Sequence, residues 1–300
     1  MNKSFLYTYL CTLLIFSSCA VKLSAVPDQS SEQIQTNYQV LKDIAYGSDP
    51  EQAMDIYISQ DAKKLKGKNY TVIFLHGGGY YLSDKTKEER YIQPYLAKGM
   101  NVINMNYRLK LGIPIATEDL TNALNFLQAN TVNYPLDLEQ IILTGFSAGA
   151  HIASNVAVAA NNPEYPHPLN AGIKFSGIIN FSGPVDGLDV VEKVFMDHEN
   201  ALMKEVGNAL FPATTTYASE EVISAYEPIT YYDKNDPPFF LWYGGKDDQV
   251  PAPTFEKFAN LLQENPRKNE VVFTLEGLHS PNETELKNAY TRIFRFLDKL

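Results

Sequence analysis

The order of apolar and amphipathic segments is the feature that most constrains how this chain can fold. Apolar runs typical of buried strands occupy 70–76, 101–107, 140–145, 175–182, 238–245 and 271–277. Segments with helical spacing alternate with them, at 88–99, 117–130, 147–160, 253–265 and 284–299, and Thr117 is the expected N-cap of the second. This alternation predicts an α/β fold, with a mostly parallel central sheet and helices on both faces.

One connection is longer than the alternation of strands and helices requires. The stretch 184–228 contains helix-like pieces and several aromatic residues. Connections of that length are uncommon unless they shape a site. We therefore predict a small cap-like insertion at about 184–228, within one domain that covers 37–300. We expect aromatic side chains in and near the insertion to line a pocket, namely Tyr80, Tyr81, Phe195, Phe211, Tyr217 and Tyr226.

The beginning of the chain has the features of an export signal. A short positive start precedes an apolar stretch at 4–16, and small residues follow it. The segment "FSSC" resembles the lipobox of bacterial lipoproteins, which predicts a signal peptide over 1–19 and lipidation of Cys19, followed by a polar tether at 20–36. Cleavage after Ala20 by an ordinary signal peptidase is the alternative. We expect an exported protein that is anchored to a membrane by lipid, on the periplasmic or cell-surface side, or a secreted one if the alternative holds.

Cysteine content and charge exclude several classes of chemistry and partner. The two cysteines, Cys11 and Cys19, both lie in the predicted signal segment, so the predicted domain has no disulfide, thiol nucleophile or cysteine-ligated zinc. The net charge is −10 and no basic run stands out, which argues against nucleic acid as a partner.

A serine between two glycines is the first candidate for chemistry. Gly145, Ser147 and Gly149 match G-x-S-x-G at the point where an apolar strand meets a helix. A serine in such a strained turn presents its hydroxyl above the carboxyl edge of the sheet, and small neighbours let the strand and helix approach closely. On the pentapeptide alone, a tight connection without chemistry remains the alternative.

A glycine-rich segment directly after the first buried strand is the second candidate. "HGGGYY" at 76–81 resembles the HGGG oxyanion motif of esterases and lipases. Backbone N–H groups can reach a developing negative oxygen only where side chains do not obstruct them. We expect the N–H groups of Gly78 and Gly79, together with that of Ala148, to form an oxyanion hole. His76 itself is expected to be structural.

From about residue 40 to 300 the chain resembles the α/β-hydrolase superfamily. The segments "MDIYIS", "HGGGYYLSDK", "NMNYRL", "GFSAGAHIAS", "DPPFFLWYGGKDDQVP" and "GLHS" occur in the order that this superfamily has. Within it the chain resembles the HGGG-type carboxylesterases, including hormone-sensitive-lipase-like and bacterial feruloyl- or acetyl-esterase-like enzymes. Two features depart from that pattern: "NYRL" is not followed by "AP", and Phe146 stands where an acidic residue is frequent. The resemblance implies an α/β-hydrolase fold.

The resemblance also implies where the catalytic acid and base lie. In α/β-hydrolases they follow the serine in the order serine, acid, histidine. Among the five histidines, His76, His151, His167, His198 and His279, only His279 fits, after the last strand. The spacing G-x-x-D-x-x-V-P selects Asp247 as the acid, with Asp248 as the alternative. Aspartates in the insertion are poorer candidates, namely Asp186, Asp189 and Asp197.

The implied activity is that of a serine carboxylic-ester hydrolase. His279, oriented by Asp247, would remove the proton of Ser147, and an acyl-enzyme would form and then be hydrolysed without a metal or organic cofactor. We expect substrates with short acyl chains or esters on polysaccharide side chains. An amidase, formamidase or peptidase would use the same triad, and an inactive binding module is a further alternative. The sequence leaves the oligomeric state open.

Overall fold

The computed structural model describes residues 37–64, 69–211 and 220–300. The predicted signal peptide with Cys19 and the tether lie outside the described residues, so both stay predictions. Tyr217 of the predicted pocket also lies outside them. In the part of the chain that is described, no helix is both long and apolar enough to cross a membrane.

The described residues form one eight-stranded sheet. The strands are β1 Tyr38–Ala45, β2 Ala53–Ser59, β3 Thr71–Leu75, β4 Asn101–Met105, β5 Ile141–Phe146, β6 Phe175–Phe181, β7 Phe239–Gly244 and β8 Glu270–Thr274. Their order in the sheet is β1-β2-β4-β3-β5-β6-β7-β8; β2 pairs antiparallel with β1 and β4, and all other neighbours are parallel. The predicted α/β fold with a mostly parallel sheet is confirmed.

Helices cover both faces of this sheet. They are α1 Gln93–Ala97, α2 Ile113–Ala129, α3 Ala148–Ala159, α4 Leu188–Met196, α5 Ala201–Leu210, α6 Glu220–Ala225, α7 Pro228–Tyr231, α8 Glu256–Gln263 and α9 Glu283–Leu297. The larger core cluster joins one face to α2, α3, α4, α5 and α8. The second joins the other face to α1 and α9. Every residue of β3, β4, β5 and β7 is buried, which is why these strands are mostly apolar.

Two details of the helix prediction are wrong. The segment 88–99 is not one helix but a 3₁₀ turn, Glu89–Tyr91, followed by the short α1. Thr117 is not an N-cap, because α2 begins four residues earlier, at Ile113, after Gly112. Pro114 lies in the first turn of α2, where its fixed φ and missing N–H cost nothing, and this allows the earlier start.

The connection between β6 and β7 contains α4, α5, α6 and α7. α4 and α5 pack closely, since a Cβ on Gly207 of α5 would lie 2.9 Å from the backbone nitrogen of Met196. Phe195, Phe211 and Tyr226 of this connection are all buried. The insertion therefore adds its own side chains to the core on one face of the sheet.

Candidate active site

Ser147 lies in a strained turn between β5 and α3. Its φ of 51° and ψ of −121° are values that a residue with a side chain rarely adopts. The turn is fixed by the Ser147 N–H, which donates to the carbonyl of Phe181 at 2.8 Å. A side chain at Gly149 would clash with the carbonyl oxygens of Leu75 and His76. The second glycine of the motif is therefore required by the close approach of α3 to the end of β3.

A chain of hydrogen bonds joins Ser147, His279 and Asp247. Nε2 of His279 lies 2.9 Å from Oγ of Ser147, and its Nδ1 lies 2.8 Å from Oδ2 of Asp247. Oδ1 of Asp247 accepts the N–H groups of Gln249 and Val250, both at 2.9 Å. Since the carboxylate only accepts, Nδ1 carries a proton and Nε2 is free to accept one from the serine. The structure brings the three predicted residues together, in an arrangement suited to activating a hydroxyl; their catalytic roles stay predictions.

Burial and packing hold the imidazole in place. The side chains of Asp247 and His279 are 1% and 10% exposed, respectively. The ring of Phe146 lies 5.0 Å from the His279 ring, and Tyr91 stacks on Phe146 in turn. Arg90 donates to the carbonyl of Pro281 at 3.1 Å and to Oγ of Ser280. Phe146 and the 3₁₀ turn Glu89–Tyr91 thus hold the loop that carries His279 in place from one side.

The glycine-rich loop after β3 lies in the same cavity wall as Ser147 and Ala148. Gly78 and Gly79 have φ values of 108° and 60°, and a Cβ on Gly78 would overlap the carbonyl of Leu82. None of the described residues accepts a hydrogen bond from the N–H of Gly78 or Gly79. Ala148 is the first residue of α3, so its N–H lacks an intrahelical acceptor. The three predicted donors line one cavity and have no acceptor among the residues that the structure describes; an oxyanion hole stays the prediction for them.

The cavity beside Ser147 has a volume of about 540 Å³ and is lined by both apolar and hydrogen-bonding residues. The insertion supplies an apolar wall: Val191, Phe195, Met203, Val206 and Leu210. The rest of the lining mixes hydrogen-bonding side chains, namely Ser83, Glu88, Asp248, Gln249 and Ser280, with further apolar ones, namely Leu82, Phe146, Pro184, Val250 and Leu278. Among the aromatic residues predicted for the pocket, Phe195 and Tyr80 line it. The prediction is wrong for Tyr81, Phe211 and Tyr226, which pack in or against the core instead.

The BD-FAE family model matches residues 54–262, which is more than half of the chain. The chain belongs to the BD-FAE family. Relatives of this BD-FAE protein include Endo-1,4-beta-xylanase B of Butyrivibrio fibrisolvens, which is 26% identical over 207 residues (66% of this chain and 30% of that protein). Esterase LipC of Mycobacterium tuberculosis (strain ATCC 25618 / H37Rv) is 24% identical over 239 residues (78% and 58%). The BD-FAE chain thus spans 30% and 58% of the length of these relatives.

Solved structures place the BD-FAE chain in the α/β-hydrolase fold. The bifunctional GH43-CE of Bacteroides eggerthii has a TM-score of 0.67 and 25% identity, covering 86% of this chain and 38% of that one. Esterase B of Lactobacillus rhamnosis (HN001) has a TM-score of 0.68 and 17% identity, covering 90% and 91%. The resemblance to α/β-hydrolase carboxylesterases is confirmed. The narrower HGGG subgroup stays a prediction.

Two further histidines, His151 and His76, have hydrogen-bond partners other than the serine hydroxyl. His151 accepts at Nδ1 from the Tyr80 hydroxyl at 2.6 Å and donates from Nε2 to the Tyr226 carbonyl at 2.7 Å. It therefore ties the glycine-rich loop to the insertion. His76 stacks on Tyr107, and burial lowers the pKa of His76 and of His151 to about 4.

The buried His151 predicts loss of stability in mild acid. The unfolded chain binds a proton at this histidine below about pH 6.5, its ordinary pKa, whereas the folded protein resists protonation down to about pH 4. The contribution is thus fully present above pH 6.5 and is lost as the pH falls towards 4. We expect the free energy of unfolding from urea titrations to decrease over this range, and less steeply in His151→Gln. The exposed His198 supplies the control, His198→Gln. A pH slope that His151→Gln leaves unaltered would contradict this account.

Sequence reasoning missed Glu88 and the packing of Phe146 on His279. Glu88 belongs to "TKEERY", a charged segment that looks like the exposed start of a helix. In the sequence, Phe146 stands out only as a departure from the usual motif. No local signal in the sequence indicates that Glu88 lines the cavity or that Phe146 packs on His279. Both depend on how the 3₁₀ turn and the loop that carries His279 pack against each other.

Proposed function

We propose that this BD-FAE protein is a serine carboxylic-ester hydrolase that works through an acyl-enzyme. The observation that carries the proposal is the unbroken hydrogen-bond chain from Asp247 through His279 to Ser147, at the wall of a 540 Å³ cavity. A serine hydroxyl is a weak nucleophile by itself, and an adjacent base with an orienting carboxylate is the arrangement that activates it.

The reaction follows from the protons and electron pairs available. As Oγ of Ser147 bonds to the ester carbonyl carbon, its proton moves to Nε2 of His279, and the carbonyl electrons move onto the oxygen. The N–H groups of Gly78, Gly79 and Ala148 would stabilise that oxyanion. When it collapses, the bond to the alcohol oxygen breaks and His279 returns the proton to the alcohol. Water repeats the sequence on the acyl-enzyme and releases the acid, while Asp247 stabilises the transient imidazolium.

The proposed substrates are short-chain acyl esters or acyl esters on polysaccharide side chains. The apolar wall from α4 and α5 offers a compartment for an acyl group, in a cavity of limited volume. One relative is named a xylanase, and a similar solved structure is named a bifunctional GH43-CE. Those names support a substrate attached to a plant-type polysaccharide such as xylan.

A substrate panel tests the activity and its class. We expect faster turnover of 4-nitrophenyl acetate and butyrate than of the decanoate, since a cavity of about 540 Å³ has to hold the alcohol portion as well as the acyl chain. We also expect release of acetate from acetylated xylan, and slower cleavage of 4-nitroacetanilide than of the matched acetate ester. Activity against methyl ferulate would extend the substrates to aromatic acyl groups.

The same panel separates the alternatives. Faster cleavage of the anilide than of the ester would favour an amidase, formamidase or peptidase. Exclusive cleavage of long-chain lipid esters would overturn the proposed substrate class. No turnover of any substrate, with retained binding of xylan, would favour a binding module that has lost catalysis.

A further inference from the structure

Glu88 is a carboxylate in the cavity wall that lacks a hydrogen-bond donor. It directly precedes the 3₁₀ turn Glu89–Tyr91 and is partly buried. Within the described part of the chain, no N–H or O–H group donates to it. Arg90, two residues on, directs its guanidinium to Pro281, Ser280 and the Tyr91 hydroxyl instead.

Partial burial makes the ionised form of this carboxylate less favourable than in water. Withdrawal from water disfavours the ionised form, and burial raises the pKa of Glu88 above its ordinary value, opposed by the positive charge of Arg90 and by His279. A carboxylate that has no donor among the described residues, and that faces an open cavity beside Ser147 and His279, is available to a ligand.

The position of Glu88 assigns it to one part of the ester. The apolar wall belongs to the core cluster of α4 and α5 and adjoins the glycine-rich loop, since a Cβ on Gly79 would lie 2.5 Å from Cγ1 of Val206. Glu88 directly precedes the 3₁₀ turn, whose Tyr91 packs in the core cluster on the other face of the sheet. It lines the same cavity as His279, the group that would protonate the departing alcohol. An acyl group held by the apolar wall would leave the alcohol portion on the side of Glu88.

We propose that Glu88 binds a hydroxyl group on the alcohol portion of the substrate, so that the site selects esters of polyols such as sugars. This inference rests on the proposed ester-hydrolase function. A carboxylate accepts one or two O–H donors, and Ser83, Gln249 and Ser280 in the same cavity supply further hydrogen-bonding partners. An alcohol without additional hydroxyls leaves the carboxylate unpaired, and this penalty produces the discrimination.

Two substrates that share an acyl group test the inference. The kcat/KM is measured for 4-nitrophenyl acetate and for a monoacetylated methyl xyloside, with wild type, Glu88→Ala and Glu88→Gln. We expect the ratio of sugar ester to aryl ester to fall about 10- to 100-fold in Glu88→Ala, and less in Glu88→Gln, which keeps an acceptor oxygen. Glu89→Ala is the matched control, because Glu89 is the exposed neighbour, and its ratio should equal that of wild type.

The outcomes separate this inference from the function on which it rests. An unaltered ratio of the two activities, whether both fall equally or neither falls, would overturn the inference; equal losses would assign Glu88 a structural role. A preference for acetylcholine over the sugar ester that Glu88→Gln abolishes would indicate a cationic alcohol and would overturn the inference as well. A wild-type protein that cleaves neither ester would overturn the proposed function and the inference together. Glu88→Gln preserves the shape of the side chain and decides the matter if Glu88→Ala fails to fold.

Discussion

Ser147→Ala is expected to lower kcat for 4-nitrophenyl acetate by about 10⁵-fold or more, the scale of loss when a triad serine is removed. Oγ of Ser147 is the only described side-chain oxygen within hydrogen-bond distance of Nε2 of His279. Removing it leaves the base without a proton to abstract and the ester without an attacking atom. Steady-state kinetics, with single-turnover detection of a residual burst, measure the effect.

Thermal unfolding distinguishes lost chemistry from lost structure. Alanine retains the unfavourable φ of 51°, so we expect Ser147→Ala to unfold at about the wild-type temperature. Glycine adopts this conformation without the cost of about 1–3 kcal/mol that other residues carry there, so Ser147→Gly should be equally inactive and unfold at a higher temperature. Retention of a tenth of the wild-type rate by Ser147→Ala would exclude this serine as the nucleophile.

The strained serine illustrates what could be predicted from sequence. Ser147, Asp247 and His279 each follow a strand, β5, β7 and β8, and each is signalled by an apolar run that ends in small or polar residues. Parallel strands present their carboxyl ends at one edge, so residues that follow these strands can meet there. Which aspartate and which histidine join the serine is what the resemblance to α/β-hydrolases implies, through their order along the chain. The central strands could also be predicted from the sequence, since burial on both faces makes them mostly apolar.

Features that depend on tertiary packing could not be predicted in this way. β1 alternates irregularly between buried and exposed residues at the edge of the sheet, so its sequence carries little strand signal. The division of 88–99 into a 3₁₀ turn and α1 follows from contacts that Tyr91 and Arg90 make with distant segments. Glu88 enters the cavity only because that turn is held against the His279 loop.

The choice between Asp247 and Asp248 is where geometry adds most to the sequence. Both aspartates follow β7, and the spacing of neighbouring residues only favoured the first. In the structure, Oδ2 of Asp247 meets Nδ1 of His279, whereas Asp248 lines the cavity. Two N–H groups hold the other oxygen of Asp247, which fixes the direction of the carboxylate.

We expect Asp247→Asn to lower kcat for 4-nitrophenyl acetate by about 10⁴-fold, as in a triad whose carboxylate becomes an amide. Oδ1 of the asparagine can keep the N–H groups of Gln249 and Val250, which directs the NH₂ group towards His279. The imidazole must then accept at Nδ1 and carry its proton on Nε2, facing Ser147, where it cannot act as a base. Asp248→Asn is the matched control. We expect it to lower kcat less than about tenfold, since it leaves the hydrogen bond between Asp247 and Nδ1 of His279 intact. A larger loss in Asp248→Asn than in Asp247→Asn would reverse the assignment of the catalytic acid.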